Sequence, residues 1–267
     1  MVLRHDAAGV LAVGQASHAW LCGQFARAWG NERFGAVQPL DEVALGAEQH
    51  DVGMARWDLQ PARHPDTGLP QSFIQMGAQA NAGLWSRGPE RLVTQSRYAA
   101  LLANRHGRRL YEGFDLKRAS PEDASAVTAF LAHAAALEAR LLRALRADPV
   151  TAPHVTPERL ARNSGLVWIW DTISLALLLD WAPMTLEDVP SAADGTAIAI
   201  AMEAVSPCGV SLDPWPFSAP EVRVHCEGRR LSDGFPDDEA LARGLADAPW
   251  ETVQFTLVPG AELREGP

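Results

Sequence analysis

The stretch EVRVHCEG, residues 221–228, decides how the chain divides. Val222, Val224 and Cys226 alternate with Glu221, Arg223 and His225, a period of two that no helix gathers onto one face. It reads as a strand with one wet side, His225 on the polar phase. The same period runs through AIAIAMEAV, where Ile198, Ile200 and Met202 alternate with alanine. It recurs in ETVQFTLV, where Val253, Phe255 and Leu257 alternate with polar residues. Between them DPWPF, residues 213–217, carries two prolines and is excluded from any central strand.

Toward the N-terminus the period changes, and up to about residue 183 the apolar spacing is helical. His18, Leu21, Cys22, Phe25 and Trp29 share one face. A second helix is expected to start near Asp41, after Pro39, with Val43, Ala47, His50, Asp51 and Met54 on one side and Gly53 marking its end. RWDLQPARHPDTGLPQSFIQ reads as a loop. Tyr98, Leu102 and His106 align at helical steps. Ser120-Pro121-Glu122-Asp123 and Thr156-Pro157-Glu158 are helix starts, with a hydroxyl at the N-cap, proline next and acid in the first turn. In the last helix Ser164, Trp168, Asp171, Leu175 and Leu178 form one stripe. The opening MVLRHDAAGVLAVGQ reads as a short strand or tail. The expectation is a mainly α protein, a helical body over 1–185 with a small β-rich extension over 186–267 packed on it as a second domain or as part of one continuous domain.

Composition narrows the function classes. The 267 residues are 47% hydrophobic and carry a formal net charge of −10. That acidity argues against nonspecific nucleic-acid binding. No apolar run is long enough to span a bilayer, LALLLDWA being interrupted by Asp180, and the N-terminus lacks a signal-peptide core. Cys22, Cys208 and Cys226 lie far apart, without Cys-x-x-Cys spacing. A cytoplasmic protein is expected. Phosphate loops, dinucleotide fingerprints and Gly-x-Ser-x-Gly elbows are missing.

Polar groups on buried faces carry the chemistry, because an unpaired one costs several kcal/mol. His18, His50, Asp51 and Asp171 fall on the inner faces of three helices, a ligand set for a divalent cation: Fe, Mn, Zn or Mg, as one ion or two. Such a cation activates a bound water. His5-Asp6 repeats the dipeptide of His50-Asp51 but has no partner at a useful spacing.

A histidine on one helix, an adjacent His-Asp before glycine, and a distant aspartate on a late helix resemble the ligand order of the HD-domain superfamily of metal-dependent phosphohydrolases. QASHAWLCGQFARAWG, AEQHDVGMARWD, DTGLPQSF, SRYAALLANRHGRRLY, DTISLALLLDW and LDPWPF resemble a bacterial branch of it described only as a domain of unknown function. The resemblance implies an HD-type helical bundle that hydrolyses a phosphate ester of a small molecule or nucleotide, with His18, His50, Asp51 and Asp171 as ligands. Asp51 would also orient the water. Many HD enzymes carry lysine where this chain has Met54, so Arg56, Arg105, Arg108 and Arg109 are the expected phosphate contacts. His106 would act on the phosphate or hold a second metal, and Asp58 and Gln15 would stand behind the ligands or meet substrate. The alternatives are a sensor without turnover and a di-iron oxygenase, which needs both His106 and Asp58 on the metals. The β-rich end is expected either to cover one mouth of the site or to make a homodimer interface.

Overall fold

A computed structural model describes residues 1–191 and 196–260. The chain opens with a hairpin, β1 (Val2–Asp6) and β2 (Gly9–Val13), whose turn is closed by Asp6 Oδ1 accepting from Ala8 N–H at 2.8 Å. Then follow α1 (Gln15–Ala28), α2 (Leu40–Glu48), α3 (Ala55–Leu59), α4 (Ala78–Leu92), α5 (Arg97–Tyr111), α6 (Pro121–Ala147) and α7 (Pro157–Leu179). Strands return as β3 (Met184–Pro190), β4 (Ala197–Ser206), β5 (Gly209–Asp213) and β6 (Val222–Leu231). The helix α8 (Asp238–Asp247) precedes β7 (Trp250–Pro259).

Local chemistry sets the helix starts. Ser120 Oγ accepts from Asp123 N–H at 3.1 Å and Thr156 Oγ1 from Arg159 N–H at 3.3 Å, each with proline at the first helical position. Ser96 does the same for α5 through Ala99 N–H. α2 starts at Leu40, so Asp41 lies in its first turn rather than at its cap.

The strands form one seven-stranded mixed sheet in the order β1-β2-β6-β7-β5-β4-β3. Every neighbouring pair is antiparallel except β5 with β7. This overturns two expectations. With about 50% helix and 22% strand the protein is α/β, not mainly α. The HD-type bundle implied by the resemblance conflicts with a sheet of this size. The physical reason is the N-terminal hairpin. Its second strand pairs with β6, Val10 opposite Leu231 and Val13 opposite Gly228, so the two ends of the chain share one sheet.

The sheet is curled, and both of its edge strands, β1 and β3, touch α7. Helix α7 therefore lies along the concave side, burying Leu166, Trp170, Ile173 and Leu177. Burial of Ile173 and Leu177 contributes about 1.5–3 kcal/mol each. Arg4 of β1 locks this arrangement. Its buried guanidinium donates to Leu177 O at 2.5 Å and Pro207 O at 2.7 Å, pairs with Asp180 at 3.0 Å, and lies over the Phe255 ring. It satisfies carbonyls that the end of α7 leaves without helical partners. On the other face, α8 covers Val10, Ala12 and Leu231 with Leu241 and Leu245.

By length and composition α6 is apolar enough to cross a membrane. Here its stripe of Val127, Phe130, Ala134, Leu137 and Leu141 is buried, it packs on α4 and α5, and its Glu138 takes both Arg105 and Arg108.

Candidate metal centre

Four elements converge where α1, α5 and α7 cross the turn after α2. α1 turns His18 inward on the stripe it shares with Leu21, Cys22 and Phe25. α2 ends at Glu48, so His50 and Asp51 sit in the following turn, closed by Met54 N–H donating to Asp51 O at 2.8 Å. α5 supplies His106 and α7 supplies Asp171. All five residues are buried, none more than 7% exposed.

Hydrogen bonds behind the imidazoles fix which nitrogen faces inward. Ser174 Oγ gives its proton to Asp171 O at 2.8 Å, so it accepts from His18 Nδ1–H, also at 2.8 Å. His50 Nδ1–H donates to Ala47 O at 2.8 Å. Both Nε2 atoms therefore point at the carboxylates, the arrangement that presents a neutral imidazole to a metal.

The separations suit shared ligands better than hydrogen bonds. His50 Nε2 stands 3.4 Å from Asp171 Oδ1 and 3.6 Å from Asp51 Oδ2, and it is a buried nitrogen without a hydrogen-bond partner. His18 Nε2 is 3.7 Å from Asp171 Oδ1, and His106 Nε2 is 3.7 Å from Asp171 Oδ2. Donors bound to one ion at about 2.1 Å stand about 3–3.5 Å apart. Only His18 and Asp51 meet directly, at 2.7 Å. The possible ligand atoms of His18, His50 and Asp51 lie within 4.8 Å of one another, and so do those of His50, His106 and Asp171. These two groups share His50. The residues present therefore fit a divalent cation.

Electrostatics agree. Two buried carboxylates need compensating positive charge. Burial pulls the His50 imidazole down, but Asp51 and Asp171 outweigh it and hold the group up at about 9. Burial works against the charged forms of Asp51 and Asp171 too, yet the histidines hold both carboxyls below the usual range. His106 goes the other way: burial, with His50 beside it, pushes it down to about 4. Its ring lies between Trp85 and Trp168, with centroids at 5.6 and 5.5 Å, and its Nδ1 has no partner. Cys22 also reaches the group, but burial raises its thiol well above the ordinary range and its Sγ leans on Ser174, so it behaves as core.

The turn bearing His50 and Asp51 is set by a close approach. A Cβ on Gly53 would meet Leu84 O of α4 at 2.5 Å and Gly88 Cα at 3.1 Å. Gly53→Ala is expected to cost about 1–3 kcal/mol through overpacking. The check is a lower urea midpoint with an unchanged slope.

The other predicted residues are dispersed. Gln15 lines the cavity above the centre. Asp58 takes the Met1 ammonium at 3.1 Å and Gln15 N–H at 2.6 Å, away from the ligating rings. Arg105 and Arg108 are engaged by Glu138, Arg109 stacks over Trp168 at 4.3 Å, and Arg56 is exposed on α3. His5 and Asp6 lie at the exposed end of β1, Asp6 paired with Arg230. Sequence reasoning missed Ser174, three residues after Asp171 on the same helix and so open to detection by phase. It also missed Trp85 and Asn81, on a helix that it did not recognise.

A family model described as "Protein of unknown function (DUF3891)" matches residues 1–233. The chain belongs to the DUF3891 family. No curated protein and no solved structure matches it. The DUF3891 match runs from the first hairpin through β6 and spans all five residues of the centre, and it replaces the HD assignment drawn from the resemblance.

Proposed function

We propose that this protein is a metal-dependent hydrolase in which His18, His50, Asp51 and Asp171 hold a divalent cation. The observation that carries the reading is the pair of imidazoles with Nδ1 occupied and Nε2 facing two buried carboxylates. The centre lies at the wall of a cavity of about 590 Å³, large enough for a small molecule. When bound, such a cation polarises a substrate oxygen and lowers the pKa of a water it holds. Nitrogen donors favour Fe, Mn or Zn over Mg.

The chain's own residues have separate tasks. Ser174 and the Ala47 carbonyl hold the two imidazoles in register. Asp51 and Asp171 are kept ionised, and Asp51 is the group to orient the attacking water. His106, neutral and with an unpartnered Nδ1, is the group to accept a hydrogen bond from water or substrate, or to join a second ion with His50 and Asp171. In the phosphate-ester form of this reading the phosphate would meet none of the predicted arginines, which are engaged or exposed elsewhere. The di-iron oxygenase reading needs Asp58 on a metal, and Asp58 is held by Met1 and Gln15. The cytoplasm fits three free thiols.

The test is elemental analysis of protein purified without chelator, followed by hydrolysis assays with Fe, Mn, Zn or Mg restored. Close to one or two equivalents of metal and hydrolysis that His50→Ala removes are expected. Protein that takes up none of these metals overturns the reading. Full metal occupancy with no hydrolysis across a broad ester panel favours a sensor.

A further inference from the structure

The cavity lining is unusual for a phosphatase. Apolar and aromatic side chains, among them Met54, Ile74, Met76, Trp85, Leu110 and Phe114, make most of its wall. Ile74 and Leu110 remain 67% and 43% exposed, forming an apolar lip. Among the described residues lining it there is no lysine and no arginine. A third carboxylate, Asp123, stands in the wall besides Asp51 and Asp171. With a divalent cation in place and the histidines neutral, the lining would still carry a negative formal charge. A dianionic phosphate would meet that field with no guanidinium to receive it.

Apart from Asp123, the polar groups of the lining not used by the metal centre are neutral. Gln15 and Asn81 each have a buried amide oxygen without a partner, and Trp85 has a buried indole N–H without one. All three residues line the cavity. Buried unpaired polar atoms are rare and call for a counterpart. An apolar chamber with a few convergent neutral hydrogen-bonding groups is the general form of a site for an uncharged ligand.

Building on the hydrolase reading, we infer that the substrate is an uncharged carboxylic ester or amide with an apolar body, the carbonyl at the metal centre and the body against Met76, Trp85 and Leu110. Hydrolysis adds water across the acyl C–O or C–N bond. The water oxygen forms the new bond to the carbonyl carbon, the alcohol or amine leaves with the bonding electron pair, and it carries away a proton from the water.

Two measurements test this. The first compares kcat/KM of the metal-loaded protein on p-nitrophenyl acetate, p-nitrophenyl hexanoate and p-nitrophenyl phosphate. Activity is expected to rise from acetate to hexanoate by up to about fourfold per added methylene, with phosphate at least about tenfold below hexanoate. Leu110→Arg, at the exposed lip where folding tolerates it, is expected to lower hexanoate turnover and raise phosphate turnover. The second measurement reads tryptophan fluorescence while hexanamide or hexyl phosphate is added, with and without metal. Hexanamide is expected to bind more tightly than hexyl phosphate in the metal-free protein, and Ile74→Ser to weaken it severalfold. Faster turnover of the phosphate ester, or tighter binding of hexyl phosphate, overturns the inference while leaving the hydrolase intact. Absence of any hydrolysis by metal-loaded protein overturns the hydrolase reading, and the hexanamide titration still decides the ligand class.

Discussion

Asp171→Asn is expected to empty the proposed metal centre while leaving the protein folded. Asp171 faces His18, His50 and His106 at once, at 3.7, 3.4 and 3.7 Å, so the carboxamide removes the charge that all three rings share. The loss of metal affinity should exceed the roughly 10–100-fold that removal of a group behind a ligand produces, and Ser174→Ala should show that smaller effect. Competition with a chromogenic chelator measures both. pH gives a second readout. In metal-free protein His50 holds a proton up to about 9, because its carboxylate neighbours outweigh burial. Metal uptake near neutrality must therefore release that proton, and apparent affinity should rise about tenfold per pH unit and level off above His50's titration. The same shift acts on stability. His50's folded value lies above its unfolded one, so its contribution to the metal-free fold is fully present below pH 6.5 and is lost as pH rises through about 9. Chelator-treated protein should lose Tm over that window and the loaded protein should not. Unchanged metal content in Asp171→Asn, or affinity flat from pH 6 to 9, counts decisively against the centre.

Arg4→Met is expected to be strongly destabilising, although it lies away from the metal centre. The side chain is 7% exposed and holds two carbonyls from different parts of the chain, Leu177 at the end of α7 and Pro207 between β4 and β5. Hydrogen bonds from a charged donor are worth about 1.5–3 kcal/mol, and methionine leaves the buried Leu177 carbonyl without a donor, while Pro207, an exposed residue, loses only its bond to the guanidinium. A loss of about 3 kcal/mol corresponds to a fall in Tm of roughly 6–12 °C for a domain of this size. Asp180→Asn should do far less, because Asp180 is 61% exposed and its ion pair is screened. Thermal melts of the two variants separate the roles. Equal effects would mean that the ion pair, not the carbonyl clamp, holds β1 to α7.

Legibility followed the range of the interactions. The helix starts at Ser120 and Thr156 were readable because a hydroxyl, a proline and an acid act within four residues. The inward phase of His18 and Asp171 was readable because a helix face is a local property, and the structure brings these residues together with His50 and Asp51. Helix α4 was not readable, since Gly83, Gly88 and Pro89 are the residues that normally interrupt one. Gly88 has a use that the sequence does not announce: with Gly53 it lets α4 pack directly on the turn that carries the site. The arginines were misjudged for a similar reason. Which side of α5 Arg105 and Arg108 present is local, but their use depends on Glu138 arriving from α6.

By itself, then, the sequence determined the periodicities, the caps and a set of inward-facing histidines and carboxylates of the kind that could hold a cation. Only the tertiary structure decided that the first thirteen residues are two strands of the same sheet as the last strands, which makes the protein α/β. The opening segment reads as a short strand or tail, but five residues carry too little pattern to name a sheet partner, and that partner, β6, lies about two hundred residues away. The structure also decided the character of the cavity. Charge and polarity along a chain do not say which side chains face one another, and here no lysine or arginine is among the described residues that line the cavity, while Trp85, Met76, Gln15 and Asn81 are.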